Sequence, residues 1–449
     1  MTLHNSDYIE KESKDYALYV VQERAIPHLA DGLKSSARRV LWTARDGKKI
    51  KSLTLAGATL PLHPHGLPES SINTMAAFYG NNIPLLHGDG AFGTLLNPKV
   101  YGATRYTYVL LSKFTKDVIM VDMDIIPMVD NYDGTLMEPK HFLPLVPITI
   151  INPQEGIAIG YSSHILSRSP ETIIKNQIDY LEGKKLTKNP PPTIIPLNQI
   201  AITSELDKKG NTKWIFHGVI EIIDSTTVKI TNLPYNVDHD DHELTLINLM
   251  NMEDSPIVKI TDDSKDEYNI VIKFKRGAIA EIGEDNLLKY LGLVSSVSEN
   301  LNVIDFCGER VLKVGYIDII EKFTEWRLQW YVKRYQRLRD LTIEDIQKYN
   351  DIITAIDNDV GGKAKTIKDR GALVDFCKSI GIINTQYIAD FPVYRFTKEE
   401  KNKVLDKIQE ANSILAEYNA LLKSDSKRKE VYIKELTEIR DKIKKGYYK

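Results

Sequence analysis

The sequence predicts a multidomain α+β protein: short helices at the N-terminus, a mixed α/β middle and a long antiparallel coiled coil at the C-terminus. Three observations predict it. At 449 residues the chain exceeds what one hydrophobic core usually supports. Its hydrophobic pattern changes period twice, which divides it into segments 1–135, 136–315 and 316–449. The last segment carries a seven-residue apolar repeat spanning several heptads.

In the first segment, Asp7 to Arg24 places Tyr16, Ala17, Val20 and Val21 near helical spacing. A second helix is predicted over Lys34 to Arg45, with Ser35 and Ser36 as candidate caps and Gly47 as its stop. Ser52 to Leu60 and Glu69 to Phe78 read as two more short helices, broken by Pro61, Pro64 and Pro68. Pro68 suits a first helical turn, whose dipole turns its positive end toward His65 and Gly66. Short helix, tight turn, second helix is the helix-turn-helix plan that docks in a DNA groove, although most helix pairs bind no DNA.

The middle segment has β-branched runs at Val146 to Asn152, Thr227 to Leu233 and Tyr268 to Phe274, separated by turn signals such as Pro234 and Asp262-Asp263. Helices are predicted near Ser169 to Glu182 and Glu243 to Met252. From Ile317 onward the chain reads as helical and highly charged. Leu328, Tyr331, Tyr335 and Leu338 form one apolar stripe. After a helical insert around Asp357 to Phe391, a second long helix starts near Thr397. Ile408, Leu415, Leu422, Leu436 and Ile443 keep its heptad register, interrupted at Lys429, while Val404, Ala411, Tyr418 and Ile439 hold the other seam position. Two long helices around an insert predict an antiparallel coiled coil with a knob at its tip.

Composition sets the bounds on function. Nowhere do about eighteen apolar residues run without a charge, so no membrane span is expected. The N-terminus has no basic-then-apolar signal pattern. Cys307 and Cys377 are the only cysteines, too few for a disulfide framework or a zinc cluster, which fits a cytoplasmic protein. The net charge of −2 shows no global basic excess, so any phosphate contact has to be local. Lys34, Arg38, Arg39, Arg45, Lys48, Lys49 and Lys51 supply such a run, whereas a second run near the C-terminus (Lys427 to Lys445) reads as a solvated helix face.

Four strings carry candidate chemistry. In Arg105-Tyr106 a guanidinium adjoins a phenol, a nucleophile whose ordinary pKa of roughly 10 makes it weak at neutral pH. The guanidinium would stabilise both the phenolate and the charge on a phosphate under attack. His63-Pro64-His65-Gly66 sets two imidazoles before a helix start, where phosphate oxygens are readily bound. Gly88-Asp89-Gly90-Ala91-Phe92-Gly93 is a glycine-rich turn without the ending of a nucleotide-binding loop. Asp31-Gly32-Leu33-Lys34 precedes the basic helix. Each string alone is weak.

In their order, with Arg24-Ala25-Ile26-Pro27, Arg38-Arg39-Val40-Leu41, Asp130-Asn131-Tyr132-Asp133-Gly134-Thr135, Glu155-Gly156-Ile157-Ala158-Ile159-Gly160 and Leu233-Pro234-Tyr235, the sequence resembles the breakage-reunion subunit of type IIA DNA topoisomerases. That family includes the gyrase A and topoisomerase IV C subunits and their phage and eukaryotic relatives. The resemblance implies a winged-helix DNA-gate domain over 1–135, a tower domain over 136–315, and a coiled coil with a helical exit gate over 316–449. By the same likeness Tyr106 attacks a backbone phosphate and is joined to the 5′ end of the cut strand. Arg105, Arg24 and His65 serve the charged phosphate, and Lys34, Arg38, Arg39 and His63 hold double-stranded DNA. Ile157 wedges between base pairs. No metal ligands are expected in this chain; Mg²⁺ and ATP fall to a separate ATPase/Toprim subunit, and the chain pairs with a second copy through the exit gate. Asp122-Met123-Asp124 superficially resembles a Toprim acid pair and is expected to be structural.

Three departures from the family pattern stand out. Leu67 and Pro68 replace the acid and hydroxyl that follow the His-Pro-His-Gly string, and Ala37 replaces a histidine of the bacterial proteins. No β-rich wrapping domain follows the second coiled-coil helix, a short layout similar to the medium subunit of T-even-type phage topoisomerases. That layout implies ATP-driven relaxation and decatenation in the cytoplasm, the host's if the chain is phage-encoded. Two other readings compete: a non-catalytic helix-turn-helix protein dimerised by its coiled coil, which leaves the His-Pro-His-Gly and Arg-Tyr strings idle, and a truncated topoisomerase IV C subunit.

Overall fold

The computed structural model describes residues 5–64, 66–98 and 100–448. The chain divides into two compact units, one formed by residues 1–327 with 434–449 and the other by residues 328–433.

The larger unit starts with helix α1 (Asn5–Val20), which runs into a π-helical turn at Val21–Ala25. Residues Ile26 to Leu33 then pass through the interior. Helix α2 (Ser35–Thr43) is followed by β1 (Ile50–Lys51), α3 (Ser52–Ala58) and α4 (Glu69–Ala76). The predicted serine caps of α2 are not used. Lys34 occupies the cap position in extended backbone, and Ser36 Oγ instead shares a hydrogen bond of 3.1 Å with Ser71 Oγ of α4. Strands β2 (Leu86–Asp89) and β3 (Tyr108–Leu111) complete a three-stranded antiparallel sheet in the order β1-β3-β2. Two ribbons follow, β4 (Met128–Asp130) with β5 (Met137–Pro139), and β6 (Gln154–Ala158) with β7 (Tyr161–Ile165).

The run Val146 to Asn152, predicted as a strand, is instead a buried segment with a short 3₁₀ turn at Ile148–Ile150. Its own backbone bonds locally and to a neighbouring segment: Ile151 N–H donates to Ile148 O at 3.1 Å, and Ile150 O accepts from Arg168 N–H at 2.8 Å. The Asn152 side chain in turn bonds the N–H and the carbonyl of Ile83, at 3.0 and 2.7 Å.

Beyond α5 (Pro170–Leu181) and the minor pair β8 (Thr193–Ile194) and β9 (Gln199–Ile200), the middle segment builds two antiparallel sheets. Strands β10 (Thr203–Leu206) and β11 (Thr212–His217) belong to one, and β12 (Val219–Asp224) and β13 (Thr227–Asn232) to the other. Helix α6 (His239–Met250) leads to β14 (Ile257–Asp262) and β15 (Ile270–Phe274), giving the order β12-β13-β15-β14. Val228, Ile230, Ile270, Ile272 and Phe274 alternate inward from β13 and β15 and pack with Leu246 of α6. Helices α7 (Ala278–Ile282) and α8 (Glu284–Tyr290) cover this core, and β16 (Val294–Ser298) pairs with β11. Glu299, just past β16, forms a buried ion pair with Arg168 at 2.7 Å and accepts from Trp214 Nε1 at 2.9 Å. Strands β17 (Asn302–Ile304) and β18 (Val311–Lys313) close the segment.

Helix α9 (Tyr316–Asp357) runs 42 residues and passes from the larger unit into the smaller. There α10 (Val360–Lys363), α11 (Arg370–Ser379) and α12 (Thr385–Ala389) pack around Ile352, Ala355, Cys377 and Ile388, and Asp351 accepts from the Ile383 and Asn384 amides. Helix α13 (Lys398–Lys423) begins at Thr397, whose hydroxyl caps it, and runs antiparallel to α9. Asp357 pairs with Lys401, and Tyr335 lies 5.6 Å from Tyr418 between ring centres. The second long helix is not continuous. Ser424 is extended and divides α13 from α14 (Asp425–Lys444), five residues before the interrupted heptad position at Lys429. Arg428 seals the break by donating to the free carbonyls of Leu421 and Leu422 at 2.7 and 2.9 Å. No helix among the described residues is long and apolar enough to cross a membrane.

Candidate active site and nucleic-acid interface

Tyr106 sits on a turn that is fixed on both flanks. Thr104 and Thr107 are buried. The Leu53 amide of α3 donates to Thr104 O at 3.1 Å, the Ser52 amide to Thr107 O at 2.9 Å, and Thr107 Oγ1 to Ser52 Oγ at 2.8 Å. Gly102 N–H reaches Ala91 O at 2.8 Å, tying the turn to the glycine-rich segment. With both threonines turned inward, Tyr106 points outward and is 70% exposed, and the Arg105 guanidinium lies 4.8 Å from its ring centre. The glycine-rich segment acts by packing rather than by cradling an anion. A side chain at Gly88 would come within 2.6 Å of the Phe92 ring, which is buried against it. Beside the turn, Lys49 and Lys51 lie 5.2 and 5.7 Å from the Tyr108 ring centre, and Lys49 pairs with Asp89.

A second group of predicted residues lines one cleft of about 350 Å³: Arg24, Lys34, Arg39 and His63, together with Tyr19 and Ser71. The π-helical turn at Val21–Ala25 presents exposed Arg24 at the cleft while burying Val21 and Ala25. His63 Nε2 is 2.8 Å from the Tyr19 hydroxyl; its ring stacks on Tyr19 at 6.2 Å and meets Tyr132 edge-on at 6.0 Å. His65 lies outside the described residues. Tyr106 and Arg105 do not line this cleft.

Arg38 corrects the reading of the basic run. Only 7% exposed, it donates to Asp31 through Nε at 2.7 Å and Nη2 at 3.0 Å, and to Leu33 O at 3.1 Å. Its fork is filled from inside the protein, so Arg38 supports the fold rather than meeting a phosphate. Arg39 reaches the cleft with its charge already met by Glu138, at 2.6 and 2.9 Å, and by Glu23 at 3.4 Å. Burial pushes the Asp31 carboxyl up, but the Arg38 guanidinium outweighs it and holds the group below its ordinary range. Burial also pushes the neighbouring imidazoles of His28 and His141 down, to about 3 and about 4.

The β6–β7 ribbon carries Ile157, 80% exposed, next to a tip of Ala158, Ile159 and Gly160. Gly156 is required here because a β-carbon would lie 1.8 Å from Ala25 O. That close approach brings the ribbon against the turn bearing Arg24. Tyr19, Tyr132 and Ser52 were not singled out for this site from the sequence. Tyr132 stood within a recognisable string, whereas Tyr19 and Ser52 carried no signal beyond helix pattern. Asp122 pairs with Arg327 at 2.6 Å, and no cluster of His, Cys, Asp or Glu among the described residues is placed to hold a metal ion.

The fold superimposes with a TM-score of 0.83 on a solved structure of the Plasmodium falciparum topoisomerase II DNA-binding, cleavage and re-ligation domain, at 23% identity over 99% of this chain and 66% of that one. Residues 24–437 match the family model for the A subunit of DNA gyrase/topoisomerase IV, and the chain belongs to that family. It is 28% identical over 351 residues to the DNA topoisomerase medium subunit of Enterobacteria phage T4, covering 74% of this chain and 76% of that protein. It is 29% identical to DNA topoisomerase 2 of Arabidopsis thaliana over 77% of this chain, and 27% identical to the DNA gyrase A subunit of Mycolicibacterium smegmatis over 95%. The matches span 24% of the Arabidopsis protein and 54% of the gyrase protein.

Proposed function

We propose that this chain is the DNA-cleaving and rejoining subunit of an ATP-dependent type II topoisomerase, with Tyr106 as its nucleophile. The observation that carries the reading is the exposed Arg105–Tyr106 pair on a turn pinned by buried Thr104 and Thr107, within the region matched by the family model. The Tyr106 phenol gives up its proton to a base and its oxygen attacks a backbone phosphorus. The bond to the 3′ oxygen breaks, that oxygen takes up a proton, and the new phosphotyrosyl diester keeps the 5′ end. Attack by the 3′ hydroxyl reverses every step, so no water is consumed and the break is rejoined.

Arg105 balances charge on the phosphate oxygens, Arg24 and His65 serve the scissile or adjacent phosphate, and His63 holds DNA beside them. Ile157 enters the base stack and bends the duplex. Residues 1–135 serve as a winged-helix DNA gate, 136–315 as a tower, and 316–449 as a coiled coil with an exit gate joining two copies. A two-fold dimer supplies the two tyrosines that a double-strand break needs. Asp122 pairs with Arg327, which supports a structural role for the Asp122-Met123-Asp124 string. Mg²⁺ and ATP are assigned to a separate ATPase/Toprim subunit, and the work is placed in the cytoplasm.

The test is cleavage trapping with wild type and Tyr106→Phe, each with the ATPase/Toprim partner, Mg²⁺ and supercoiled plasmid, stopped by detergent. Linear DNA with protein on its 5′ ends, from wild type only, is expected. Equal adducts from the Phe variant would move the nucleophile elsewhere, with Tyr108 the nearest candidate. No adduct from either, despite assembly and DNA binding, favours the non-catalytic reading. Efficient Mg²⁺-dependent cleavage by this chain alone would overturn the assignment of the metal to a partner.

A further inference from the structure

We propose that Lys34 and Gln154 are positioning residues for the Ile157 wedge, so that Lys34 acts on DNA through the ribbon it holds rather than by gripping a phosphate. The inference rests on the wedge role assigned to Ile157 above.

An isolated two-stranded ribbon is marginally stable in water. A wedge mounted on one must resist the restoring force of base stacking, so its stiffness has to come from outside the ribbon. Lys34 Nζ donates to Glu155 O at 2.6 Å, and Gln154 Nε2 donates to Gly32 O at 2.6 Å. These two bonds cross between the segment Gly32–Lys34 and the strand that leads into Ile157. The second strand is tied from its other side. Asn300 and Asn302 each donate to Ser162 O at 2.7 Å, and Ser162 is the residue paired directly with Ile157 across the ribbon. The main chains of His164 and Asn300 exchange two further bonds of 2.9 Å. Ile157 is therefore bracketed by anchors on both strands while its own side chain stays free.

Lys34 is the charged member of this set. An ammonium bound to a carbonyl is a charge-assisted contact, stronger than a neutral one. Its side chain is half-buried, lining clefts on two sides of the segment, whereas Arg24 on the neighbouring turn is exposed. Burial pushes the Lys34 ammonium below its ordinary pKa, and the Glu155 carboxylate offsets only part of that. A lysine holding a carbonyl in place and a lysine neutralising a phosphate differ in one measurable respect. Only the second releases counterions when DNA binds, and each such contact adds about 0.9 to the slope of log affinity against log salt.

The experiment uses the full chain with its ATPase/Toprim partner and a short duplex carrying fluorophores at its two ends. Binding gives the salt slope, and energy transfer gives the bend, for which wedge-type proteins set a scale of about 20–90°. Wild type, Ile157→Ala, Lys34→Met, Gln154→Leu and Arg24→Met are compared, after circular dichroism shows that each is folded. Lys34→Met and Gln154→Leu are expected to lose bending to the level of Ile157→Ala with an unchanged slope, while Arg24→Met lowers the slope by about 0.9. A fall of about 0.9 in the slope for Lys34→Met makes Lys34 a phosphate contact and overturns the proposal. Wild-type bending in Lys34→Met or Gln154→Leu, with bending lost in Ile157→Ala, also overturns it and leaves the wedge reading intact. If Ile157→Ala bends DNA as wild type does, the wedge reading fails and this inference falls with it.

Discussion

Replacing Asp31 by Ala should be among the most damaging single changes in the larger unit. The carboxylate is fully buried, and each oxygen accepts two hydrogen bonds. Oδ2 takes Arg38 Nε at 2.7 Å and Phe142 N at 3.0 Å, and Oδ1 takes Arg38 Nη2 at 3.0 Å and Leu33 N at 3.1 Å. Alanine would leave a buried guanidinium without its partner, a loss of about 3–5 kcal/mol, and two orphaned amides at about 1–3 kcal/mol each. Relaxation and water entry keep these from adding fully, so a net loss of about 4–6 kcal/mol is expected, a large part of a typical total of about 5–15 kcal/mol. Urea unfolding followed by circular dichroism measures it from the shift in midpoint at constant slope. The double variant Asp31→Leu/Arg38→Met, with no unpaired charge, should recover much of the loss. The pH dependence has a fixed sign. Because the folded-state pKa of Asp31 is lowered, its contribution is present above the ordinary carboxylate range near 4 and is lost as pH falls through the folded value. A loss below about 1 kcal/mol in Asp31→Ala would mean that water reaches Arg38, and would refute the reasoning.

Further outcomes follow from the same geometry. His28 and His141 are held neutral when folded, at about 3 and about 4, whereas the unfolded chain takes up protons near 6.5; stability should therefore fall as pH drops below about 6.5, with the loss complete only below the folded values. Thermal midpoints of wild type and a His28→Gln/His141→Gln variant should converge as pH falls, and a constant gap between pH 7.5 and 4.5, roughly spanning that window, would contradict this. Gly156→Ala drives a β-carbon onto Ala25 O, so a stability loss of about 3 kcal/mol or more and a displaced ribbon are expected; unchanged melting and protease resistance at the ribbon would count against the close approach. Glu299→Ala strands Arg168 in the interior and should cost about 3–5 kcal/mol, read by denaturation, while an effect within about 0.5 kcal/mol would place that pair in solvent.

The sequence by itself determined the elements whose cause is local. The α9 helix follows from the apolar stripe at Leu328 to Leu338 and α13 from the heptad spacing after Thr397, β13 and β15 from β-branched runs, and the Arg105–Tyr106 and Ile157 strings are legible because contiguous residues spell them. Several failures share one cause, which is dependence on a partner outside the local string; the Arg38–Asp31 pair and the break at Ser424 are local exceptions. The apolar run at Val146 to Asn152 turns at Ile148–Ile150 instead of forming a strand, and the Ile150 carbonyl is met by the Arg168 amide outside the run. Arg39 finds its counter-charge on Glu138, 99 residues away, and Lys34 reaches Glu155, 121 residues away. A string of basic residues shows how much charge is present. Only tertiary structure decides which of those charges the fold itself satisfies and which it leaves facing solvent, because a buried guanidinium must be paired from within and an exposed one need not be.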